Sequence, residues 1–347
     1  MSEKTVLQRA LASLLDGASL TREEAQRVME SIMDGEATPA QIGALLAAMR
    51  MKGETADEVA GFAAGMRAKV NRVETVQEGL LDTCGTGGDG MHTFNISTAS
   101  AIVAAAGGVR VAKHGNRAMS SKSGSADVLE ALGVNISLGG EQAAACLREV
   151  GLCFMFAQVY HPSMRHAAAP RRELGVRTVF NLLGPLTNPA GADRQLLGVF
   201  DRSKTELMAE VLRELGTARA LVVGSHDGLD EISLSAPTRV TELKDGKLRT
   251  YDITPDDLGL RACGVEDIAG GDAAENAETI RIVFAGARGP YRDIVLANAG
   301  ACFYVAGLSG TLQEGVKRAA DAIDSGAASR KLEHLVKTTG ALSHVSG

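Results

Sequence analysis

Residues 81–100 read LDTCGTGGDGMHTFNISTAS. A short apolar run closes in a glycine loop, and small polar residues then open an alanine-rich segment of helical character. Gly85, Gly87 and Gly90 fit the spacing G-x-G-x-x-G. Glycine lets a backbone approach an anion closely, and the unpaired N–H groups of a following helix face it. A dinucleotide site also needs an acid about 20 residues further on, for a ribose hydroxyl. Ala105–Asn116 contains neither Asp nor Glu. Asp89, inside the loop, would repel an unscreened diphosphate; it makes sense against sugar hydroxyls or beside a metal. A dinucleotide fingerprint, a plain turn and another phosphate ligand with magnesium are the three readings, and Asp89 favours the last.

On either side the chain divides. The first 70 residues carry helix starts and no strand signal. Thr21, Thr38 and Thr55 each stand three residues before Glu or Gln, the pattern of a capping box, and Pro39 falls at a first helical position. Four short helices are expected. From about residue 75, β-type runs at 80–83, 109–112, 153–157, 196–199 and 220–223 alternate with helical segments such as 98–106, 126–132 and 204–215. That alternation predicts an α/β fold with a largely parallel sheet. Residues 238–251, with Asp245-Gly246 at their middle, read as a hairpin, and the last hundred residues read mostly as helices.

Composition narrows the function. The net charge of −6 gives no pull toward nucleic acid or anionic lipid, and the absence of Trp with only 3% aromatic residues leaves few platforms for stacking bases. Five cysteines, an odd number without a C-x-x-C pair, favour reduced thiols in the cytoplasm over disulfides or zinc. The N-terminus has no signal-peptide core. The apolar tract 294–310 is interrupted by Asn298 and glycines and falls short of a membrane span.

A second loop follows the first. Lys113-His114-Gly115-Asn116-Arg117 succeeds the run VRVA, and Ser120-Ser121-Lys122-Ser123-Gly124-Ser125 precedes a helix. Taken alone KHGNR could be a solvated basic turn. Two anion-friendly loops in succession suggest a ligand with phosphates at both ends.

GTGGD, NIST, KHGNR and SGSADVLEALG, in this order and spacing, resemble the anthranilate phosphoribosyltransferase family. The match continues through Tyr160-His161-Pro162, Arg171-Arg172-Glu173-Leu174-Gly175, FNLLGPLTNP at 180–189 and Gly228-Leu229-Asp230-Glu231, over essentially the whole chain. The resemblance implies a small N-terminal helical domain, 1–72, rejoined by a segment at about 168–190, and a larger α/β domain, 73–347. It also implies a homodimer associating through the helical domain. The implied reaction moves the phosphoribosyl group of 5-phosphoribosyl 1-diphosphate onto the amine of anthranilate, with magnesium. Pyrimidine nucleoside phosphorylases, which use free phosphate, and non-catalytic nucleic-acid-binding relatives are the alternatives on the same fold.

By the same resemblance Gly85, Gly88, Asp89, Thr93, Asn95, Ile96, Ser97 and Thr98 wrap the diphosphate and ribose. Lys113, His114, Gly115, Asn116, Arg117, Ala118, Met119, Ser120, Ser121 and Ser125 hold phosphates and ribose. Asn116 and Arg171, with Gly85 nearby, meet anthranilate. Asp230 and Glu231, with Ser97, are the magnesium ligands; as bare sequence the two acids could equally form an exposed turn. His114 is either a proton acceptor or a hydrogen-bonding spacer. Arg172 reads as a surface charge, and His161 and Pro162 as shaping the pocket.

Overall fold

Threonines start the first four helices. In the computed structural model, which describes residues 4–118 and 122–343, Thr5, Thr21, Thr38 and Thr55 cap α1 (Val6–Leu15), α2 (Arg22–Met33), α3 (Pro39–Lys52) and α4 (Ala56–Ala68). Each threonine hydroxyl accepts from the N–H three residues on, and the Gln or Glu there reaches back to the threonine N–H. Each such cap contributes about 1 kcal/mol. The box at Thr5 and Gln8 adds one to the three legible in sequence.

The buried apolar runs β1 (Leu80–Gly85), β2 (Arg110–Gly115), β3 (Leu152–Phe156), β4 (Arg194–Gly198) and β5 (Arg219–Ser225) form the parallel part of a seven-stranded sheet. β6 (Thr238–Lys244) and β7 (Lys247–Ile253) complete it antiparallel, in the order β3-β2-β1-β4-β5-β6-β7. Asp245 and Gly246, both at positive φ (52° and 71°), make the two-residue hairpin turn. The strand order reverses between β1 and β4, and the carboxyl ends of strands at such a reversal open the crevice where α/β sheets take ligands.

The helices α5 (Ile96–Ala106), α6 (Ser125–Ala131) and α7 (Gly140–Val150) follow β1 and β2, and α11 (Thr205–Glu214) joins β4 to β5. Between β3 and β4 lie α8 (Ala157–Tyr160), α9 (Arg165–Leu174) and α10 (Phe180–Leu183); α12 (Ala273–Phe284), α13 (Pro290–Val305), α14 (Leu312–Asp324) and α15 (Ala327–Ser343) follow the hairpin. Ala167, Phe180, Leu183 and Leu186 share one buried cluster with Ile42, Leu46 and Phe62, so the segment after β3 packs back onto the first helices. That cluster continues onto one face of β4 and β5 through Leu197, Ala220 and Val222; α5 and α13 help fill the other face.

Two of the shifted boundaries bear on the cleft. β2 runs to Gly115, three residues beyond the expected end at 112, so Lys113 and His114 are strand residues and not part of a turn. α5 begins at Ile96, two residues early, which draws Ile96 and Ser97 into its first turn.

Candidate active site

A cleft of about 780 Å³ opens at the ends of β1 and β2 and reaches across to α4, α9 and α10. Among the expected residues, Gly85, Gly88, Asp89, Thr93, Asn95, Ile96, Ser97, Thr98, Lys113, His114, Gly115, Asn116, Arg117, Ala118, Ser125, Arg171, Asp230 and Glu231 all line it. Met119, Ser120 and Ser121 lie outside the described residues.

The glycine loop owes its path to Asp230. Gly87 N–H donates to Asp230 Oδ2 at 2.7 Å. A Cβ at Gly85 would stand 2.3 Å from that oxygen, so only glycine lets the strand end and the carboxylate meet. Gly87, Gly88 and Gly90 follow at φ 67°, 74° and 74°, a region costly for other residues. Arg177, from the turn after α9, donates to Gly88 O and lays its guanidinium over the Phe200 ring at 3.9 Å. Asp89 accepts from Met91 N–H at 3.2 Å.

Asp230 and Glu231 do not form an exposed turn. Burial raises the carboxyl pKa of both; the charge of Asp89 raises that of Asp230 further, and the charges of Asp230 and Asp89 raise that of Glu231. Gly87 N–H to Asp230 and Ser97 N–H to Glu231 work the other way, as does the Lys113 charge on Glu231. Carboxylates crowded in this way relax when a cation arrives, so the donor set fits a hard divalent ion. Among the described residues no three His, Cys, Asp or Glu side chains form a complete cage.

Lys113 is 2% exposed, and its Nζ donates to Thr83 O at 2.5 Å and Ser97 Oγ at 3.2 Å. The solvated-turn reading of this residue fails because its side chain runs under the loop. Asp82, on the neighbouring strand, is buried; burial raises its carboxyl pKa and the Lys113 charge opposes the rise. Sequence reasoning passed over Asp82, although an acid in the apolar run LLDTC was a signal. Arg117 turns its guanidinium to Asp127 and Glu130 of α6, each at 2.8 Å, leaving its backbone to the cleft.

His114 and His161 lie with ring centroids 5.0 Å apart. One ring nitrogen of each is engaged by the backbone, at Gly184 and Thr187, while each Nε2 is buried without a partner. Burial lowers the pKa of His114 to about 3, helped by the charges of His161 and Lys113, and burial lowers that of His161 to about 4. Both rings are neutral near pH 7, the form that leaves each Nε2 open to a hydrogen bond. Arg171 sits nearby with its guanidinium 4.9 Å from the Phe180 centroid, and burial lowers its pKa. Among the described residues no carboxylate pairs with it. An aromatic acid suits an unneutralised guanidinium beside a phenyl ring.

A glycine-loop anion site facing a helical layer across a cleft has a counterpart among known families. Residues 77–329 match the family described as "Glycosyl transferase family, a/b domain", and residues 8–70 that described as "Glycosyl transferase family, helical bundle domain". The fold is thus a small N-terminal helical domain and a larger α/β domain of that glycosyl transferase class. A protein of Brevibacillus brevis named anthranilate phosphoribosyltransferase is 57% identical over 341 residues, 98% of this chain and 100% of that relative. The crystal structure of the enzyme of that name from Thermus thermophilus superposes with a TM-score of 0.91 at 47% identity, over 95% of this chain and 99% of the other. That from Saccharomyces cerevisiae, in complex with PRPP and Mg, gives 0.89 at 26% identity, over 98% and 99%. The chain belongs to the anthranilate phosphoribosyltransferase family.

Proposed function

We propose that this protein transfers the phosphoribosyl group of 5-phosphoribosyl 1-diphosphate to the amine of anthranilate, releasing diphosphate. The observation that carries the reading is one cleft holding two anion loops, a buried acidic pair and an unneutralised arginine against an aromatic ring. A phosphorylase using free phosphate has no need of the acidic pair, and neither the charge nor the cleft suits a nucleic-acid-binding role.

The glycine loop, Gly85, Gly88, Asp89, Thr93 and Asn95–Thr98, takes the diphosphate and ribose. Its backbone N–H groups and the start of α5 supply the donors. The end of β2 from Lys113 and the loop after it as far as Ser121, with Ser125, take the remaining phosphate. Asp230 and Glu231, with Ser97, hold magnesium, which when bound offsets charge on the departing diphosphate. Arg171 pairs the anthranilate carboxylate, and Asn116 and Gly85 border the ring. Anthranilate's aromatic amine is already neutral, so its lone pair needs orientation behind C1 more than it needs a base. His114 and His161 add no charge to that pocket and offer two Nε2 atoms for hydrogen bonds.

The same reading assigns 1–72 with about 168–190 to the helical domain and 73–347 to the α/β domain; the shared apolar cluster of α2–α4 with Ala167, Phe180 and Leu183 supports it. It includes a homodimer through the helical domain, supported by the exposed Leu15 and Met51 on the adjacent helices α1 and α3. A cytoplasmic setting is supported by five cysteines that are all unpaired; no helix among the described residues is long and apolar enough to cross a membrane.

The test is the loss of anthranilate fluorescence when 5-phosphoribosyl 1-diphosphate is added, with magnesium and with excess chelator. Consumption only with magnesium is expected. A protein that leaves anthranilate untouched in both would overturn the assignment.

A further inference from the structure

Asn276 lies on α12, outside the residues that line the cleft, and is 2% exposed. Its Oδ1 accepts from Gly271 N–H at 2.8 Å, and its Nδ2 donates to Asn95 Oδ1 at 2.9 Å. The same Asn95 oxygen accepts from Ser123 Oγ at 3.2 Å, and Asn95 Nδ2 donates to Ser123 O at 3.1 Å. Asn95 ends the glycine loop, whereas Ser123 belongs to the second loop. One side-chain amide therefore ties the two loops together, and its orientation is set: its oxygen faces two donors and its nitrogen an acceptor.

An asparagine at a helix N-cap ordinarily accepts from the first-turn N–H groups. Asn95 occupies the N-cap of α5 and makes no such bond. Its side chain is committed to joining the loops, and α12 is what anchors it. The segment before α12 fixes the same loop through the backbone. Gly270 N–H donates to His92 O at 2.8 Å and Phe94 N–H to Ile268 O at 3.3 Å. Tyr291 holds that segment through Ala269 O at 2.8 Å while its ring meets Phe94 edge-on at 5.1 Å.

We propose that Asn276 is a positioning residue for the phosphorylated substrate: through Asn95 it sets the separation of the two anion loops, so that one ligand can engage both. This rests on the reading of the loops as the two phosphate sites. It makes α12, which contributes nothing to the cleft wall, part of what matches the cleft to the length of the sugar phosphate.

Asn276→Asp is the sharp variant. It keeps the shape and the acceptor for Gly271 N–H, but it sets an oxygen against Asn95 Oδ1 and forces that amide to turn from Ser123. The KM for 5-phosphoribosyl 1-diphosphate should rise about tenfold, with kcat and the KM for anthranilate within about twofold. The uncharged Asn276→Leu, of similar size, should raise the same KM, whereas an effect of charge alone would be confined to the Asp variant. Amide exchange should also quicken at residues 122–125, a loop that Asn276 reaches through Asn95. If Asn276→Asp does not fold, Asn276→Ala serves, with a rise of about threefold. A folded variant with unchanged KM for the diphosphate, or one in which both KM values and kcat move together with the melting temperature, would overturn the proposal. Wild-type protein that leaves anthranilate untouched would instead sink the reading of the reaction.

Discussion

Asp230 and Glu231 are held where neither carboxylate is well solvated, and Asp89 adds a third negative charge. Acids kept for a cation weaken the fold that lacks it. Asp230→Asn with Glu231→Gln should therefore abolish most magnesium-dependent turnover and raise metal-free stability by about 1 kcal/mol. Paired assays of rate and chemical denaturation check this, and a destabilised variant would mean the acids hold the loop more than the metal. If Arg171 pairs the anthranilate carboxylate as proposed, Arg171→Ala removes a charge-assisted bond worth about 1.5–3 kcal/mol, so anthranilate should bind roughly tenfold to a hundredfold more weakly, with little change for 5-phosphoribosyl 1-diphosphate. Calorimetric titration of each substrate separates the two. For the histidines the sign is acid-labile. Their folded pKa values, about 3 for His114 and about 4 for His161, lie below the ordinary 6.5. The stability they contribute is complete above about pH 6.5 and is lost as pH falls through the folded values. His161→Asn should flatten that acid limb in melting curves taken from pH 7 to pH 4.

At the scale of elements, the glycine loop has two unlike arms. Residues 92–94 are pinned to 268–270 by backbone bonds, while the arm at 87–90 is held by Asp230 and Arg177. Hydrogen exchange should find the amides of Gly88 and Gly90 fast in the free protein and slowed by 5-phosphoribosyl 1-diphosphate with magnesium. Phe94 N–H should be slow in both states, and equal protection of the two arms without ligand would refute an ordering loop. Gly88 stands at φ 74°, so Gly88→Ala should cost about 1 kcal/mol of stability and also raise the KM for the diphosphate. The loop itself was legible because glycines and small hydroxyls punctuate a sequence strongly. The extent of β2 was not. Lys113 and His114 look like turn residues until Thr83 O and Gly184 are seen to receive them, and those partners are 30 and 70 positions away.

For the whole molecule, the helical layer carries one wall of the cleft and, on the reading proposed above, the dimer contact. Leu15 and Met51 are 76% and 88% exposed, on helices that pack together. Charged substitutions there, Leu15→Glu with Met51→Glu, should convert a dimer into folded monomer. Light scattering after size-exclusion chromatography measures this, and an unchanged mass would remove that face from the interface. Turnover by the monomer would further show that each cleft is complete within one chain.

The order of elements, the helix caps, the parallel sheet and the glycine loop could be read from the chain alone, because caps, glycine loops and apolar runs act over a few neighbouring residues; Asn116, Arg171 and the Asp230-Glu231 pair were assigned through the family resemblance. Distant partners needed the fold. That Asp230 shapes the loop at Gly87, that Lys113 lies beneath Ser97, that two histidines become neutral side by side, and that Asn276 reaches Asn95 from α12 all follow from contacts between segments remote in sequence. A carboxylate or an imidazole has no character of its own in this respect. Burial and the charges packed around it decide what it does, and only the tertiary structure supplies those.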